Sequence, residues 1–255
     1  MTSLEKHLRE LRASGRKALV PYFVAGLTPD WITHVEAAVH AGADAVEIGI
    51  PFSDPMMDGV VIQEAALRAL DAGTNLDSIA SDLTALSVSV PLIAMTYFNI
   101  FHHYGVERAA GKLATSGITG AIVPDLPLEE GREWFDACAR HDVATVLLVA
   151  PSTPPERVSA ICEACRGFCY ATARMAVTGR STDAGEGAHV VERIRAASDI
   201  PVYIGIGITT PAQAHDACTT SDGVIVGSLL VKAILDGASA TDVEQMVHQF
   251  RQAID

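Results

Sequence analysis

Lysine is scarce in this sequence. Only Lys6, Lys17, Lys112 and Lys232 occur, and none falls inside a stretch that reads as a strand. That argues against an aldolase working through a lysine Schiff base. Positive charge is short overall: 18 Lys and Arg stand against 31 Asp and Glu, a formal net charge of −13. Such a surface repels polyphosphate, which argues against nucleic acid as a partner. A small anionic substrate stays open, because a local ring of backbone N–H groups outweighs the global field.

Long apolar runs are also missing. No segment reaches the ~18 uninterrupted apolar residues needed to span a bilayer, so no membrane partner is expected. The start, "MTSLEKHLRE", reads as a charged amphipathic helix without the apolar core of a signal peptide, and a cytoplasmic location is the default expectation. Aromatic residues make up 5% of the chain against 49% hydrophobic, so the core is expected to be built from small and branched side chains. Five cysteines, an odd number, cannot complete a disulfide framework. The cluster "CEACRGFC" (Cys162, Cys165, Cys169) invites a metal reading, but no fourth ligand lies nearby. Buried structural thiols and no metal site are expected.

What is present is a regular alternation. Short β-branched runs start at Ala18, Asp44, Pro91, Gly120, Ala144, Gly167, Pro201 and Gly223. None shows the polar alternation of a one-sided sheet. Between them lie amphipathic stretches, among them "DWITHVEAAVHAG" with Asp30 as N-cap, a helix beginning at Ser78, and "TDVEQMVHQFRQAI" near the end. Eight strands alternating with helices in ~250 residues is what a (β/α)8 TIM barrel requires. An open doubly wound sheet would show G-x-G-x-x-G after its first strand, and "PYFVAGLTPD" lacks it. The expectation is a single (β/α)8 barrel domain over residues 1–255.

In such a barrel, polar residues at strand ends face the functional side. Glu47 sits inside "DAVEIGI", sharing the inward side with Ala45 and Gly49. It is either paired with a base or an unpaired acid whose raised pKa lets it carry a proton. Asp58, in "MMDGVV", could simply stabilise a turn, but beside Glu47 it could also divide acid and base roles with it. "YIGIGITTPAQA" and "GVIVGSLLVKAI" place Gly205, Gly207, Gly227 and Ser228 at the ends of the last two strands, where this fold holds a phosphate. "ARMAVTGRSTDAGEG" reads as a lid. Tyr22, Tyr97, Asn99, Asp125 and Tyr170 lie where they line a pocket or serve as turn and core residues.

"EIGIPFSDPMMDG", "VPDLPLEE", "VTG", "GIGITTP" and "GSLLVKAI" strongly resemble the tryptophan synthase alpha chain family, in the right order over nearly the whole chain. The resemblance implies a barrel with an extra N-terminal helix that cleaves indole-3-glycerol phosphate to indole and glyceraldehyde 3-phosphate. It implies that Glu47 is the general acid–base and Asp58 the second acid, acting at the indole N–H. Gly179, Gly207, Gly227 and Ser228 match phosphate-binding positions, and Thr178 matches the lid threonine. Tyr22, Tyr97, Asp125 and Tyr170 fall where the family lines its indole pocket. Pro51, Asp54, Pro55, Asn99 and Pro127 fall where alpha chains contact the beta chain. No metal or cofactor is implied for this chain; pyridoxal phosphate belongs to the beta chain. Met57, Val60 and the lid residues Ala173, Arg174, Met175 and Ala176 depart from the family pattern, as does "AGLTPD" after the first strand. The departures in the lid keep a second reading open, a stand-alone lyase releasing indole for secondary metabolism; a third, a catalytically silent regulatory barrel, is argued against by the retention of both acids.

Overall fold

The structure, a computed structural model, describes residues 1–172, 184–205 and 207–255. Eight strands, β1 (Ala18–Val24), β2 (Val46–Gly49), β3 (Leu92–Met95), β4 (Ile118–Ile122), β5 (Ala144–Val149), β6 (Cys169–Thr172), β7 (Val202–Gly205) and β8 (Gly223–Val226), close into a parallel barrel in chain order. Closure comes from β8 pairing back onto β1, with Ala18 beside Gly223 and Pro21 beside Val226. Most strand residues are buried on both faces, as the unbroken apolar runs require.

Twelve helices occur among the described residues. They are α1 (Ser3–Ala13), α2 (Trp31–His40), α3 (Val60–Asp71), α4 (Leu76–Ala85), α5 (Phe98–Tyr104) and α6 (Val106–Thr115), followed by α7 (Arg132–Arg140), α8 (Pro155–Ala164), α9 (Ala184–Ala197), α10 (Pro211–Cys218), α11 (Ser228–Leu235) and α12 (Ala240–Ile254). The core splits accordingly. Inward side chains such as Val20, Ala45, Ile93, Ile122, Val146 and Ile225 form one cluster, which Leu4 and Leu8 of α1 join. Outward ones such as Val46, Ile48, Ala94 and Val224 pack under the helices. The N-terminal helix is therefore a plug in one end of the barrel, and it leaves the other end for chemistry.

Several boundaries differ from the sequence expectation, each for a local reason. The helix expected from Ser78 begins at Leu76, because Asn75 caps it. The Asn75 side chain accepts from the N–H groups of Asp77 and Ser78 at 3.0 and 3.1 Å, and Ser78 Oγ accepts from Asn75 N–H at 3.0 Å. Asp30 stands at the N-cap of α2 but makes no side-chain capping bond. Two helices, α3 and α5, were not anticipated. The buried stripe of α3 is Ile62, Ala65, Ala66 and Ala69, too rich in alanine to contrast with its surroundings. The stretch "FNIFHHY" of α5 has weak helix formers throughout. Cys165 is the C-cap of α8. All five thiols are free and buried.

Two aspartates fasten the closed end. Asp44, just before β2, accepts from Leu19 N–H at 2.9 Å, Arg16 Nε at 2.7 Å and Arg251 Nη1 at 2.8 Å. Asp222, just before β8, repeats the device, accepting from Val202 N–H at 2.9 Å and Arg195 Nη2 at 2.9 Å. Each ties the start of one strand to a neighbouring strand through a charge-assisted bond.

Candidate active site

At the open end, Glu47 on β2 stands beside Tyr22 of β1 and Ile93 of β3 in register. Strand parity turns it inward, as Ala45 and Ile93 are. Its side chain is 1% exposed and Oε2 has no hydrogen-bond partner among the described residues. Burial, and secondarily the charge of Asp58, pushes its carboxyl up to about 8. Glu47 therefore carries its proton at neutral pH, and among the described residues no base holds it as an ion pair.

Asp58 follows the end of β2 after an eight-residue stretch and immediately precedes Gly59, the N-cap of α3. Its carboxylate Oδ2 accepts from the Tyr97 hydroxyl at 2.9 Å. Burial raises its pKa and that hydrogen bond pulls it back down. The two acids thus sit in unlike surroundings, one dry and unpartnered, the other hydrogen-bonded.

Both acids open onto a cavity of about 640 Å³, whose wall also includes Tyr22, Asp125, Tyr170, Gly207, Gly227 and Ser228. Apolar side chains of β3 and β5, Met95, Leu147 and Leu148, complete much of it. Sequence reasoning had not singled these out, because an apolar strand residue carries no mark of facing a cavity. Burial and the nearby acids push the phenols of Tyr22 and Tyr170 well above their ordinary value, so both remain neutral donors. Each tyrosine needs a glycine opposite. A Cβ at Gly49 would lie 2.1 Å from the Tyr22 hydroxyl, and one at Gly205 would lie 1.9 Å from that of Tyr170. Gly205, read in sequence as part of the phosphate signature, is thereby accounted for by a ring rather than by an anion.

Across the cavity, Gly207 has φ +89°, a backbone state that glycine tolerates and side chains resist. Gly227 is the N-cap of α11 and Ser228 its first residue, so the unpaired N–H groups and positive end of that helix lie at the cavity wall. Gly179, Thr178 and the departures at Ala173 to Ala176 lie outside the described residues.

Tyr97 lines a small side pocket together with Tyr22 and Asp58. It is not on the main cavity wall; it stands behind Asp58 with its ring stacked on Phe52, centroids 5.1 Å apart. Asp125 lies on the wall, and its Oδ1 also accepts from Phe98 N–H at 2.8 Å. Of the residues expected at a partner surface, Asp54, Asn99 and Pro127 are exposed and Pro55 is half-buried, on the loops after β2 and β4 and, for Asn99, in the first turn of α5. Pro51 is buried and presents little surface. Met56 and Val60, 77% and 76% exposed, add an apolar face to the same rim that sequence reasoning had passed over. Among the described residues, no group of three or more His, Cys, Asp or Glu is arranged to hold a metal ion. No helix among them is long and apolar enough to cross a membrane.

Fold and site together define an enzyme of the (β/α)8-barrel class, with a protonated acid and a hydrogen-bonded one facing a helix N-terminus across an apolar cavity. A sequence model described as "Tryptophan synthase alpha chain" matches residues 8–255. The chain is 37% identical to the tryptophan synthase alpha chain of Picosynechococcus sp. over 264 residues, covering 100% of each. It is 41% identical to that of Thermobifida fusca over 258 residues, covering 98% of this chain and 95% of the other. Among solved structures it is similar to Mycobacterium tuberculosis tryptophan synthase, with TM-score 0.92, 37% identity, and 99% and 98% of the two chains covered. The alpha subunit from Legionella pneumophila gives TM-score 0.91 at 31% identity, with 100% and 99% covered. The chain belongs to the tryptophan synthase alpha chain family.

Proposed function

We propose that the chain cleaves indole-3-glycerol phosphate to indole and glyceraldehyde 3-phosphate by a retro-aldol reaction, as the alpha chain of a tryptophan synthase. The observation that carries this is the unpaired, buried Glu47 carboxyl, protonated at neutrality, beside Asp58. In this reading Glu47 gives its proton to C3 of the indole ring, which becomes an iminium, while Asp58 accepts from the ring N–H and balances the developing positive charge. The C–C bond then breaks, its electron pair restoring the aromatic ring. The glycerol hydroxyl loses its proton to the Glu47 carboxylate as the aldehyde forms. One residue thus completes a cycle of donation and return, and no net proton is consumed.

The main-chain N–H groups at Gly207, Gly227 and Ser228, with Gly179, hold the phosphate in this reading. Tyr22, Tyr170 and Asp125 border the indole, and Thr178 belongs to the lid. The reaction consists of proton transfers that carboxylates supply, and the pyridoxal phosphate of the assembly belongs to the beta chain. Pro51, Asp54, Pro55, Asn99 and Pro127, with the exposed Met56 and Val60, meet that beta chain. The chain works as one domain in the cytoplasm. The test is indole release from indole-3-glycerol phosphate by the purified chain, alone and with a beta chain added. Indole in the first case and faster turnover in the second are expected; no indole in either overturns the proposal.

A further inference from the structure

A tyrosine hydroxyl has one proton to donate and lone pairs to accept. At Tyr97 the Met57 N–H donates into the oxygen at 2.9 Å, and the phenolic proton goes to Asp58 Oδ2, also at 2.9 Å. The directions are fixed, since an amide only donates and a carboxylate only accepts. From the side, Phe52 stacks on the ring at an interplanar angle of 28°. Phe52, Met57 and Asp58 all belong to the loop between β2 and α3, so one side chain from the end of β3 grips that loop at three points. Tyr97 is itself the N-cap of α5, and the next N–H, of Phe98, is held by Asp125 in the loop after β4. Three successive strand-end loops therefore meet at Tyr97 and its neighbour Phe98, the first through the phenol and the last through the Phe98 N–H. Tyr97 lines a small side pocket that it shares with Asp58 and Tyr22, and of the hydrogen-bonded pair it is Asp58 that also stands on the main cavity wall, so the influence of Tyr97 on a substrate passes through Asp58.

We propose that Tyr97 is a positioning residue, which occupies one oxygen of Asp58 and so turns the other toward the ring N–H of the substrate, with Asp125 anchoring the helix end from which it reaches. The inference deepens the retro-aldol reading and rests on it. It also has an electrostatic consequence. An O–H donated to a carboxylate favours the charged form, and at Asp58 this opposes the effect of burial. Without the phenol, burial acts alone and Asp58 ionises at higher pH.

Tyr97→Phe removes the oxygen and keeps the ring that stacks on Phe52. Steady-state kinetics from about pH 5 to about pH 9 should show kcat near neutrality lower by about ten- to a hundred-fold, the range for a hydrogen bond to a charged group. The acid limb should move to higher pH by about one unit, with KM held within about twofold because the phosphate rim is untouched. In an Asp58→Asn background the same substitution should change kcat by less than about twofold, since the group it positions is gone. An acid limb that stays in place, a rise in KM at unchanged kcat, or full additivity with Asp58→Asn would overturn the proposal. Carbon-13 NMR titration of the Asp58 carboxyl in both proteins reads the same displacement without turnover. A wild-type chain that releases no indole would sink the reaction assignment, while the titration still decides on Tyr97.

Discussion

Replacing Glu47 by Gln should abolish chemistry and increase stability, and the two effects can be separated by pH. In the folded chain this carboxyl titrates near 8, against its ordinary 4.5, chiefly because it is buried and secondarily because Asp58 is near. Between those values the unfolded chain releases a proton that the folded one keeps. Folding stability is thus fully present below pH 4.5, falls as pH rises through the window, and levels off above about 8. At about 1.36 kcal/mol per pH unit, the gap of roughly 3.5 units amounts to about 5 kcal/mol. That is a large share of the ~5–15 kcal/mol that holds a typical domain together. Glutamine is nearly isosteric and carries no charge at any pH, so the variant should lack this slope. Urea-unfolding free energies of both proteins, measured in steps from about pH 4 to about pH 9, should diverge by about 5 kcal/mol in favour of the variant. Indole release by Glu47→Gln should fall by about a hundred- to ten-thousand-fold, the usual range for loss of a general acid. A stability difference that stays constant across the window would mean that Glu47 ionises alike in both states. The account of its proton would then be wrong.

Three other perturbations follow from the same geometry. In Asp58→Asn, Glu47 loses the neighbouring negative charge that adds to the effect of burial, so its carboxyl should titrate below about 8 by carbon-13 NMR; an unchanged value would show the two acids to be uncoupled. Gly49→Ala puts a Cβ 2.1 Å from the Tyr22 hydroxyl and should lower stability by about 1–3 kcal/mol in thermal unfolding. Tyr22→Leu, which withdraws the ring, should remove most of that penalty in the double variant. Leu4→Ala, at a side chain 1% exposed in the barrel plug, should cost about 2–5 kcal/mol in denaturant unfolding. Its kcat per folded molecule should stay that of the wild type, because the plug lies at the opposite end from the acids.

The eight strands were legible because each must be dry on both faces, which leaves a short, β-branched apolar run bounded by turn residues. The inward position of Glu47 followed from the two-residue period that it shares with Ala45 and Gly49. Glycines were harder. Gly205 and Gly207 look alike in "YIGIGITT", yet one makes room for the Tyr170 ring and the other adopts a positive φ at the cavity wall. Only the placement of β6 beside β7 separates them. Tyr97 reads in the sequence as a pocket wall or as a turn and core residue; its bonds to Met57 and Asp58 span 40 and 39 residues and leave no local trace to decide between them. The same holds for Asp44, whose partner Arg251 is 207 residues away. Helix α3 stayed hidden because its buried stripe is mostly alanine.

Barrel closure has a consequence for synthesis. Strand β1 must pair with β2 on one edge and with β8 on the other. The clasp at Asp44 likewise waits for Arg251 in the last helix. A chain emerging from the ribosome can assemble its successive strand–helix units in order, but its first strand keeps an open edge until almost the whole polypeptide has been made. The nascent barrel is therefore a curled, incomplete sheet, exposed to pairing with a neighbouring nascent chain until its last residues emerge.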